Sequence, residues 1–592
     1  MSYQPPIRDM LFVINELLGL EELLKFEQFS HVDSEDVAGL LAEAGRFNAE
    51  VIAPLNQVGD QQPSSLDAEG NVIATPGFKN AYEQYQKAGW TGIQFDPEYG
   101  GGGLPWLVGI ANQEFTSSAN MAFSLCPMLS QGSIEALSAH GSEEQKALFL
   151  EKMVTGLWSG TMNLTEPQAG SDVGALTAKA VPRGDGTYSI TGTKIFITWG
   201  EHDMTENIVH LVLARLPDAP PGTKGISLFI VPKYVVNSDG TLGERNDVRC
   251  VSIEHKLGIK ASPTAVMSYG ENGGAVGHLV GEPHQGMRYM FTMMNNARLT
   301  VGLEGLGLAE RAYQDAVVFA KERIQGTAIG SHEPVAIVDH PDVRRMLLTM
   351  KSSIEAMRAL IYLNAKSIDE AHFHPNDQIR RQADELVAIL TPLSKAWCTD
   401  LGVELTSLAI QVFGGMGYIE ETGVAQHWRD ARIAPIYEGT NGIQAIDLVM
   451  RKVPMDNGAV LDRLLADIRS TSESLSASGL SDLAEALAAA LQTVSDVTNM
   501  VRDSSPADKL AGATPYLRML STLVGAWLMG KSALVASQRV VAAQGSPEAA
   551  FYEAKVATAR YFITQTLPAA MGLEASVRGR VDALMAVDLD QY

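Results

Sequence analysis

The chain has 592 residues, 46% of them hydrophobic, and this length predicts several domains that can bury a large core without disulfides or a structural metal. It carries 69 acidic and 45 basic residues, and a net charge of −24 without a Lys/Arg run disfavours binding to nucleic acid or to an anionic membrane surface. Its three cysteines, Cys126, Cys250 and Cys398, lie far apart, which disfavours a disulfide framework and suits a reducing cytoplasm.

The first part of the chain, residues 1–157, is predicted to be a helical domain. Its opening residues, MSYQPPIRDM, lack the basic and apolar pattern of a signal peptide. Apolar residues then recur at intervals of three and four, which is typical of amphipathic helices. The polar segment 61–76 is predicted to be a loop, and the glycine run at 100–103 a turn.

The pattern changes over residues 158–284, where short β-type runs alternate with turns. Examples are 187–199 (TYSITGTKIFITW), 208–214 (IVHLVLA) and 226–231 (ISLFIV). Gly, Pro, Asn and Asp separate these runs at intervals of about ten residues, which predicts a β-barrel or β-sandwich rather than alternating strands and helices. The sequence therefore does not indicate a Rossmann fold.

Helical periodicity returns near residue 285 and continues to the end of the chain. Residues 285–453 are predicted to be a helical bundle, and residues 454–592 an extra C-terminal helical domain. The predicted helices cover 285–323, 342–373, 377–413, 442–452, 460–474 and 483–500. The most apolar late stretch, 520–530 (LSTLVGAWLMG), is followed by Lys531 and is read as too short to cross a bilayer, so no membrane insertion is predicted.

Motifs for several other chemistries do not occur in the sequence. It does not contain the GxSxG of a serine nucleophile. The close histidine pair His372 and His374 has no third ligand placed near it, so no metal site is predicted.

Three short segments combine polar groups, apolar residues and glycines in unusual ways. They are 162–172 (MNLTEPQAGSD), 194–200 (KIFITWG) and 436–442 (IYEGTNG). In the second, Phe196 and Thr198 are two residues apart and so share a strand face. In the third, the lone carboxylate of Glu438 stands beside glycines whose N–H groups can approach a ligand. Taken singly, each segment is explained by a turn or strand with a satisfied polar residue.

Together these segments resemble the acyl-CoA dehydrogenase family. Over about 35–452 the chain shows, in the family's order, TEPQAGSD (165–172), KIFITWG (194–200), QVFGGMGYIEE (411–421) and RDARIAPIYEGT (429–440). The resemblance implies a helical N-terminal domain, a middle β-barrel and a helical bundle, here with an extra C-terminal helical domain. The length resembles a bacterial branch that includes fatty acyl-CoA and 3-methylmercaptopropionyl-CoA dehydrogenases.

The resemblance implies an FAD-dependent α,β-dehydrogenation that turns an acyl-CoA into a trans-2-enoyl-CoA. Glu438 would abstract the α-proton while flavin N5 takes the β-hydride. The residue types around Glu438 are consistent with this role, because an apolar pocket raises the pKa of a carboxylate towards the value that a general base needs. Some relatives carry the base at the position of Ala297, which cannot take a proton. Glu304 is interpreted as structural, and Glu166 as a hydrogen-bond acceptor in a turn.

The family's binding residues carry over position by position. The resemblance places the following residues at the cofactor: Met162, Leu164, Thr165, Ser171, Phe196, Thr198, Arg323, Gln325, Gln411, Gly414, Gly415 and Thr440. It places the following at the substrate: Ser171, Asn295, Arg298, Tyr437 and Gly439. Arg323 and Gln325 would hold FAD across a subunit boundary. Asn295 stands where many relatives have Asp.

The substrate and acceptor stay open between alternatives at this point. A medium- or long-chain fatty acyl-CoA of β-oxidation is favoured, with 3-methylmercaptopropionyl-CoA as the alternative. An acyl-CoA oxidase that uses O2 shares the motifs. A flavoprotein that protects nucleic acid is disfavoured, because the C-terminal region has no basic cluster. By resemblance, an electron-transferring flavoprotein is expected as acceptor and a homodimer as the assembly.

Overall fold

The N-terminal region consists of helices and one short hairpin. A computed structural model describes residues 2–330 and 332–592 of the chain. The segment 61–76, predicted to be a loop, contains the hairpin β1 (Ser65–Leu66) and β2 (Val72–Ile73). The turn between its strands is held by Asp67, whose carboxylate accepts from the backbone N–H of Glu69 and Asn71. The helices are α1 (Ile7–Leu11), α2 (Leu20–Leu24), α3 (Ser34–Phe47), α4 (Leu55–Gln61), α5 (Phe78–Lys87), α6 (Trp106–Ala119), α7 (Met121–His140) and α8 (Glu143–Val154).

The β-region contains a closed barrel. Strand β4 pairs with both β5 and β6, and β12 joins β5 to β7, so that β4, β5, β12, β7 and β6 follow one another in a ring. Strand β3 extends the sheet, parallel to β6. The strands are β3 (Trp158–Asn163), β4 (Lys179–Pro182), β5 (Tyr188–Thr198), β6 (Asn207–Arg215), β7 (Ile226–Pro232), β8 (Tyr234–Val236), β9 (Leu242–Arg245), β10 (Val248–Ile253), β11 (Thr264–Tyr269) and β12 (Ala275–Leu279).

Three long helices form the bundle that follows the barrel. Helix α11 has the bounds predicted from the sequence, and α9 and α10 agree with their predictions to within one residue at each end. The helices are α9 (Gly286–Glu322), α10 (Pro341–Phe373), α11 (Asp377–Phe413), α12 (Val424–Ala431) and α13 (Asn441–Asp447). A hairpin of β13 (Ile324–Thr327) and β14 (Pro334–Ala336) lies between α9 and α10.

The C-terminal region is helical and packs against the bundle and against the start of the chain. Its helices are α14 (Ala459–Ala477), α15 (Ser481–Asp503), α16 (Pro506–Ala511), α17 (Ala513–Ala542), α18 (Pro547–Tyr561), α19 (Leu567–Met571), α20 (Glu574–Val577) and α21 (Val581–Leu584). One apolar core runs through the N-terminal, bundle and C-terminal helices, and a second fills the barrel.

The length argument against a membrane span was wrong. The apolar stretch 520–530 lies inside α17, which is 30 residues long. Among the described residues, α17 and the segment Asp377–Tyr418 are both long and apolar enough to cross a bilayer. Their most apolar windows are 83% and 72% buried inside the protein, respectively, as in the core helices of a multidomain protein.

Candidate active site

Glu438 lies in the turn between α12 and α13. Its φ is +56°, and that of Gly439 is +81°, so two consecutive residues adopt the left-handed conformation. Glycine adopts this conformation without strain, whereas a glutamate there is strained and must be held by its surroundings. Thr440 ends the turn as the N-cap of α13, because its hydroxyl accepts from the backbone N–H of Ile443.

Burial raises the pKa of Glu438, and two cations act against that effect. The pKa of its carboxyl is raised by desolvation and lowered by Arg298 of α9 and by Lys395 of α11. Arg298 is only 8% exposed. One of its Nη atoms donates to Asn295 at 3.3 Å, while its Nε is buried without a partner. Burial lowers the pKa of Arg298, and Asp447 and Glu438 oppose that effect.

A second buried carboxyl, Glu304, stands next to this group. The Tyr437 hydroxyl donates to its Oε2, while its Oε1 is buried and has no partner. The pKa of Glu304 is raised to about 8, mainly by burial and also by the nearby Glu438, while Tyr437 and Lys395 act in the opposite direction. The interpretation of Glu304 as purely structural is therefore incomplete, because the side chain belongs to the electrostatic environment of Glu438.

The first two motifs meet at the edge of the barrel, as the resemblance implies. The backbone N–H of Ile195 donates to the Thr165 carbonyl at 2.9 Å, and the Thr161 hydroxyl donates to the Thr198 carbonyl at 2.7 Å. Thus Met162, Leu164 and Thr165 lie beside Phe196 and Thr198. Ser171 follows on the exposed turn after this segment.

Phe196 occupies a β-bulge. The register between β5 and β11 shifts between Ala265 and Met267, opposite this residue, and its φ is +58°. Its ring is 60% exposed. Lys194, two residues earlier, is instead fully buried, so the bulge breaks the alternation that a regular strand would show. An aromatic ring presented in this way is available to a flat ligand.

Glu166 has the structural role that the sequence analysis gave it. Its carboxylate accepts from Lys194 Nζ at 2.8 Å and from the backbone N–H groups of Thr177 and Ala178. Burial alone would raise the pKa of Glu166, but Lys194 and the backbone N–H groups hold it at about 2. It fixes the turn that carries Thr165 and Ser171, and a carboxylate so fully bonded is not a free base.

The remaining cofactor candidates lie at exposed positions at the end of α11 and on the β13–β14 hairpin. Gln411, Gly414 and Gly415 are exposed at the end of α11. Arg323 and Gln325 lie at the exposed base of the β13–β14 hairpin, where the Arg323 guanidinium donates to the Gln325 amide oxygen at 3.4 Å.

Family models match almost the whole chain. They are the acyl-CoA dehydrogenase N-terminal domain (34–157), middle domain (161–270) and C-terminal domain (284–453), and the acetyl-CoA dehydrogenase C-terminal-like domain (464–588). A 3-methylmercaptopropionyl-CoA dehydrogenase of Ruegeria pomeroyi is 46% identical over 597 residues, which cover all of both chains. The chain belongs to the acyl-CoA dehydrogenase family.

Two further similarities support this membership. The broad-specificity linear acyl-CoA dehydrogenase FadE5 of Mycobacterium tuberculosis is 35% identical over 595 residues, which cover 96% of each chain. A crystal structure of an acyl-CoA dehydrogenase complexed with FAD from Bacillus anthracis has a TM-score of 0.72 and 20% identity, and the match covers 94% of this chain and 89% of that one. The second similarity shows the shared fold.

This acyl-CoA dehydrogenase is an FAD-dependent oxidoreductase, as is its family. Its own residues fit a flavin dinucleotide. Phe196 presents an exposed ring beside the main chain of Thr165. At Gly414 and Gly415 a Cβ would meet no heavy atom within 4 Å, which leaves open main chain that a phosphate or ribose can approach.

A cleft at the start of α9 was missed by the sequence analysis. It has a volume of about 430 Å³ and is lined by Thr223, Lys224, His284, Gln285, Met287 and Arg288. Two cations thus stand at the N-terminus of a 37-residue helix, where exposed N–H groups favour anions. The two lining segments are about 60 residues apart in sequence, so only the fold joins them. The available signal was a basic residue in a turn, Lys224, and another at the start of a predicted helix, Arg288, in an acidic chain.

Proposed function

We propose that Glu438 is the catalytic base of this acyl-CoA dehydrogenase. The observation that carries the proposal is a half-buried carboxylate in a strained turn, whose pKa is raised by desolvation and lowered by two nearby cations. In the described residues no other carboxylate has this combination, since Glu166 is fully bonded and Glu304 is tied to Tyr437. Ala297 offers no rival base on α9.

The reaction removes the α-proton of the acyl group, which is a weak acid next to the thioester carbonyl. Glu438 accepts this proton, and its raised pKa makes it a better acceptor than an exposed glutamate. The backbone N–H groups of the turn at Glu438 and Gly439 can donate to the carbonyl oxygen, where negative charge develops. Bound FAD supplies the acceptor for the hydride of the β-carbon.

The first test is Glu438→Gln. The amide keeps the size of the side chain but cannot take a proton, so turnover should fall by at least ~10²-fold. FAD content should stay near that of the unchanged enzyme, because the substitution removes no group assigned to the cofactor. The measurement is acyl-CoA-dependent bleaching of the flavin, together with turnover with an artificial acceptor. Near-normal turnover would remove Glu438 from this role.

We propose a short acyl-CoA of the 3-methylmercaptopropionyl type as the substrate. The relative from Ruegeria pomeroyi that is named for this activity shares 46% identity over the whole length, more than the 35% shared with FadE5. A medium- or long-chain fatty acyl-CoA, favoured from the sequence alone, is the second candidate, and the broad-specificity relative supports it. A panel of acyl-CoAs of graded length that includes 3-methylmercaptopropionyl-CoA, scored by kcat/KM, decides between them.

The cleft at the start of α9 is proposed to receive the phosphates of coenzyme A. Lys224 and Arg288 supply positive charge there. Arg288 lies ten residues from Arg298 on one helix, which is about 15 Å at 1.5 Å per residue. The cleft is therefore far enough from Glu438 for the pantetheine arm of the coenzyme to extend between them.

We propose a homodimer in the cytoplasm, with an electron-transferring flavoprotein as the acceptor. Apolar side chains are exposed at the end of α11 and around the Glu438 turn, where a second copy could cover them; they are Met416, Tyr418, Ile419, Ile436, Ile443, Ile446 and Met450. The three cysteines are unpaired and buried, which suits a reducing compartment. Slow reoxidation of the reduced flavin in air would favour a dehydrogenase over an oxidase.

A further inference from the structure

A buried lysine is attached to the segment that carries the proposed base. Lys395, in the middle of α11, has no exposed surface. Its ammonium donates to the side-chain oxygen of Asn441 at 2.8 Å. Asn441 begins α13 only three residues after Glu438, so this bond ties α11 to the Glu438 turn. Burying a lysine ammonium away from water costs free energy unless hydrogen bonds or opposite charges compensate for the lost hydration.

A second buried carboxyl, Glu304, shares the electrostatic environment of this lysine. Glu304 has no exposed surface and a single hydrogen bond, which comes from the Tyr437 hydroxyl to Oε2. Its Oε1 is buried without any partner, which an ionised carboxylate would not tolerate. The pKa of Glu304, raised by burial to about 8, agrees with a protonated carboxyl at neutral pH.

The other charged groups around Lys395 are already engaged. Asp400 of α11 accepts from the Asn441 amide at 2.7 Å, and burial raises its pKa. Arg298 of α9 faces Asp447 of α13 as well as Glu438, and Arg451 beside it pairs with Asp447. Burial lowers the pKa of Lys395 to about 8, and Glu438 is the strongest influence that opposes this shift. Among the carboxyls around Lys395, Glu438 therefore interacts with it most strongly.

We propose that Lys395 is a positioning residue that keeps Glu438 ionised in its half-buried turn, and that Glu304 holds Tyr437 as a neutral acid so that it does not compete for the lysine's charge. The inference rests on the proposed role of Glu438 as base. It explains how a desolvated carboxylate can remain ready to accept a proton. It also explains why a second carboxyl can stand beside the base without adding a second negative charge to the site.

The test is the pH dependence of kcat/KM in the FAD-loaded enzyme, with butyryl-CoA as the probe substrate. Lys395→Met removes the cation, so the pKa that limits kcat/KM at low pH should rise by about one pH unit. Lys395→Gln removes the same charge but can still bond to Asn441, and it should give the same rise. Agreement between the two variants separates the effect of charge from that of packing. An unchanged pKa in both overturns the proposal.

Glu304→Gln tests the neutral carboxyl. The amide still accepts from Tyr437 and cannot ionise, so the low-pH pKa should stay within about 0.3 of that of the unchanged enzyme. If Glu304 were ionised at working pH, its removal would instead lower that pKa by about one unit, which overturns this half of the proposal.

The matched control is Lys555→Met. Lys555 is also buried, at 3% exposed, but it pairs with Asp9 and Glu355 rather than with the Glu438 turn. This variant should leave the low-pH pKa where it is, even if it lowers the unfolding midpoint. The Glu438→Gln variant separates the two hypotheses. Turnover by that variant contradicts the base assignment, whereas an inactive Glu438→Gln with an unmoved pKa in Lys395→Met contradicts only the role of the lysine.

Discussion

At the scale of single residues, three non-glycine residues within the motifs that indicate the family adopt a positive φ. Phe196 and Trp199 of the second motif have φ of +58° and +52°, and Glu438 has +56°. Glycine would relieve the strain at each position, but it would remove the side chain. The bulge at Phe196 turns its ring outward, and the turn at Glu438 places a carboxylate among buried groups. Strain at these positions is therefore tied to the placement of particular side chains.

Phe196→Ala should weaken the binding of FAD. The ring offers exposed aromatic surface for a flat ligand, and its loss should cost about 1 kcal/mol, or roughly fivefold in Kd. The measurement is a fluorescence titration of the FAD-free protein with FAD. Phe373→Ala is the control, because Phe373 is also partly exposed but packs edge-to-face on Phe29 in a different part of the fold. Equal FAD affinity in the unchanged protein and Phe196→Ala would exclude the ring from the cofactor site.

At the scale of elements, glycines set how closely α9 and α11 approach. A Cβ on Gly402 of α11 would lie 2.7 Å from the Cα of Gly305 on α9, and one on Gly305 would lie 2.3 Å from the Cys398 carbonyl oxygen. Real Cβ atoms do not approach backbone this closely, so any larger residue forces the helices apart. The spacing matters for the site, since α9 carries Arg298 and Glu304 and α11 carries Lys395.

Gly402→Ala should destabilise the protein by about 1–3 kcal/mol, because the added methyl group overpacks two backbones that cannot give way. Thermal unfolding of the FAD-loaded enzyme measures the effect. The matched control is Gly39→Ala in α3, where a Cβ meets no heavy atom within 4 Å and the residue is exposed. There alanine should stabilise the helix by roughly 0.5–1 kcal/mol. A stable Gly402→Ala protein would show that the two helices can separate at little cost.

At the scale of the whole molecule, the N-terminal segment and the C-terminal helices make direct contacts with each other. The Arg8 guanidinium lies 4.0 Å from the centre of the Phe551 ring and donates to Glu548 at 3.0 Å. Lys555 of α18 pairs with Asp9 of α1, and also with Glu355 of α10 at 3.3 Å. The segment before α3 therefore links the C-terminal helices to the bundle that carries the site.

Asp9→Asn should lower the free energy of unfolding by about 2 kcal/mol at pH 7, because it leaves the buried Lys555 with one partner fewer. Burial alone would raise the pKa of Asp9, but Lys555, Lys351 and Arg358 hold it below its usual value. A carboxyl with a lowered pKa stabilises the fold above its unfolded pKa of about 3.9, and this contribution is lost as the pH falls further.

The cost of Asp9→Asn should accordingly shrink below about pH 4, as measured by unfolding at pH 7 and at lower pH. Glu574→Gln is the control. It breaks the exposed pair with Arg578 and should cost at most about 0.5 kcal/mol at either pH. A cost for Asp9→Asn that does not change with pH would mean that packing, rather than charge, explains the contact.

The sequence by itself determined the order of helical and β regions, the long helices and the motifs that indicate the family. These features are local: a helix period, strand alternation or a short motif is complete within one segment. The bounds of α11 could be predicted to the residue for this reason. Glu438 could be proposed as the base from a short motif, and the structure adds the half-buried, strained turn in which it lies.

Only the tertiary structure decided which distant groups share the site. Glu304 and Lys395 lie 134 and 43 residues before Glu438 in the sequence. The packing of α9 and α11 brings both close enough to influence the carboxyl of Glu438, and no periodic pattern in the sequence predicts this. The bulge at Phe196, the cleft at the start of α9 and the burial of α17 are also products of packing. Desolvation and charge depend on neighbours in space, so the electrostatics of the base could not be read from its own segment.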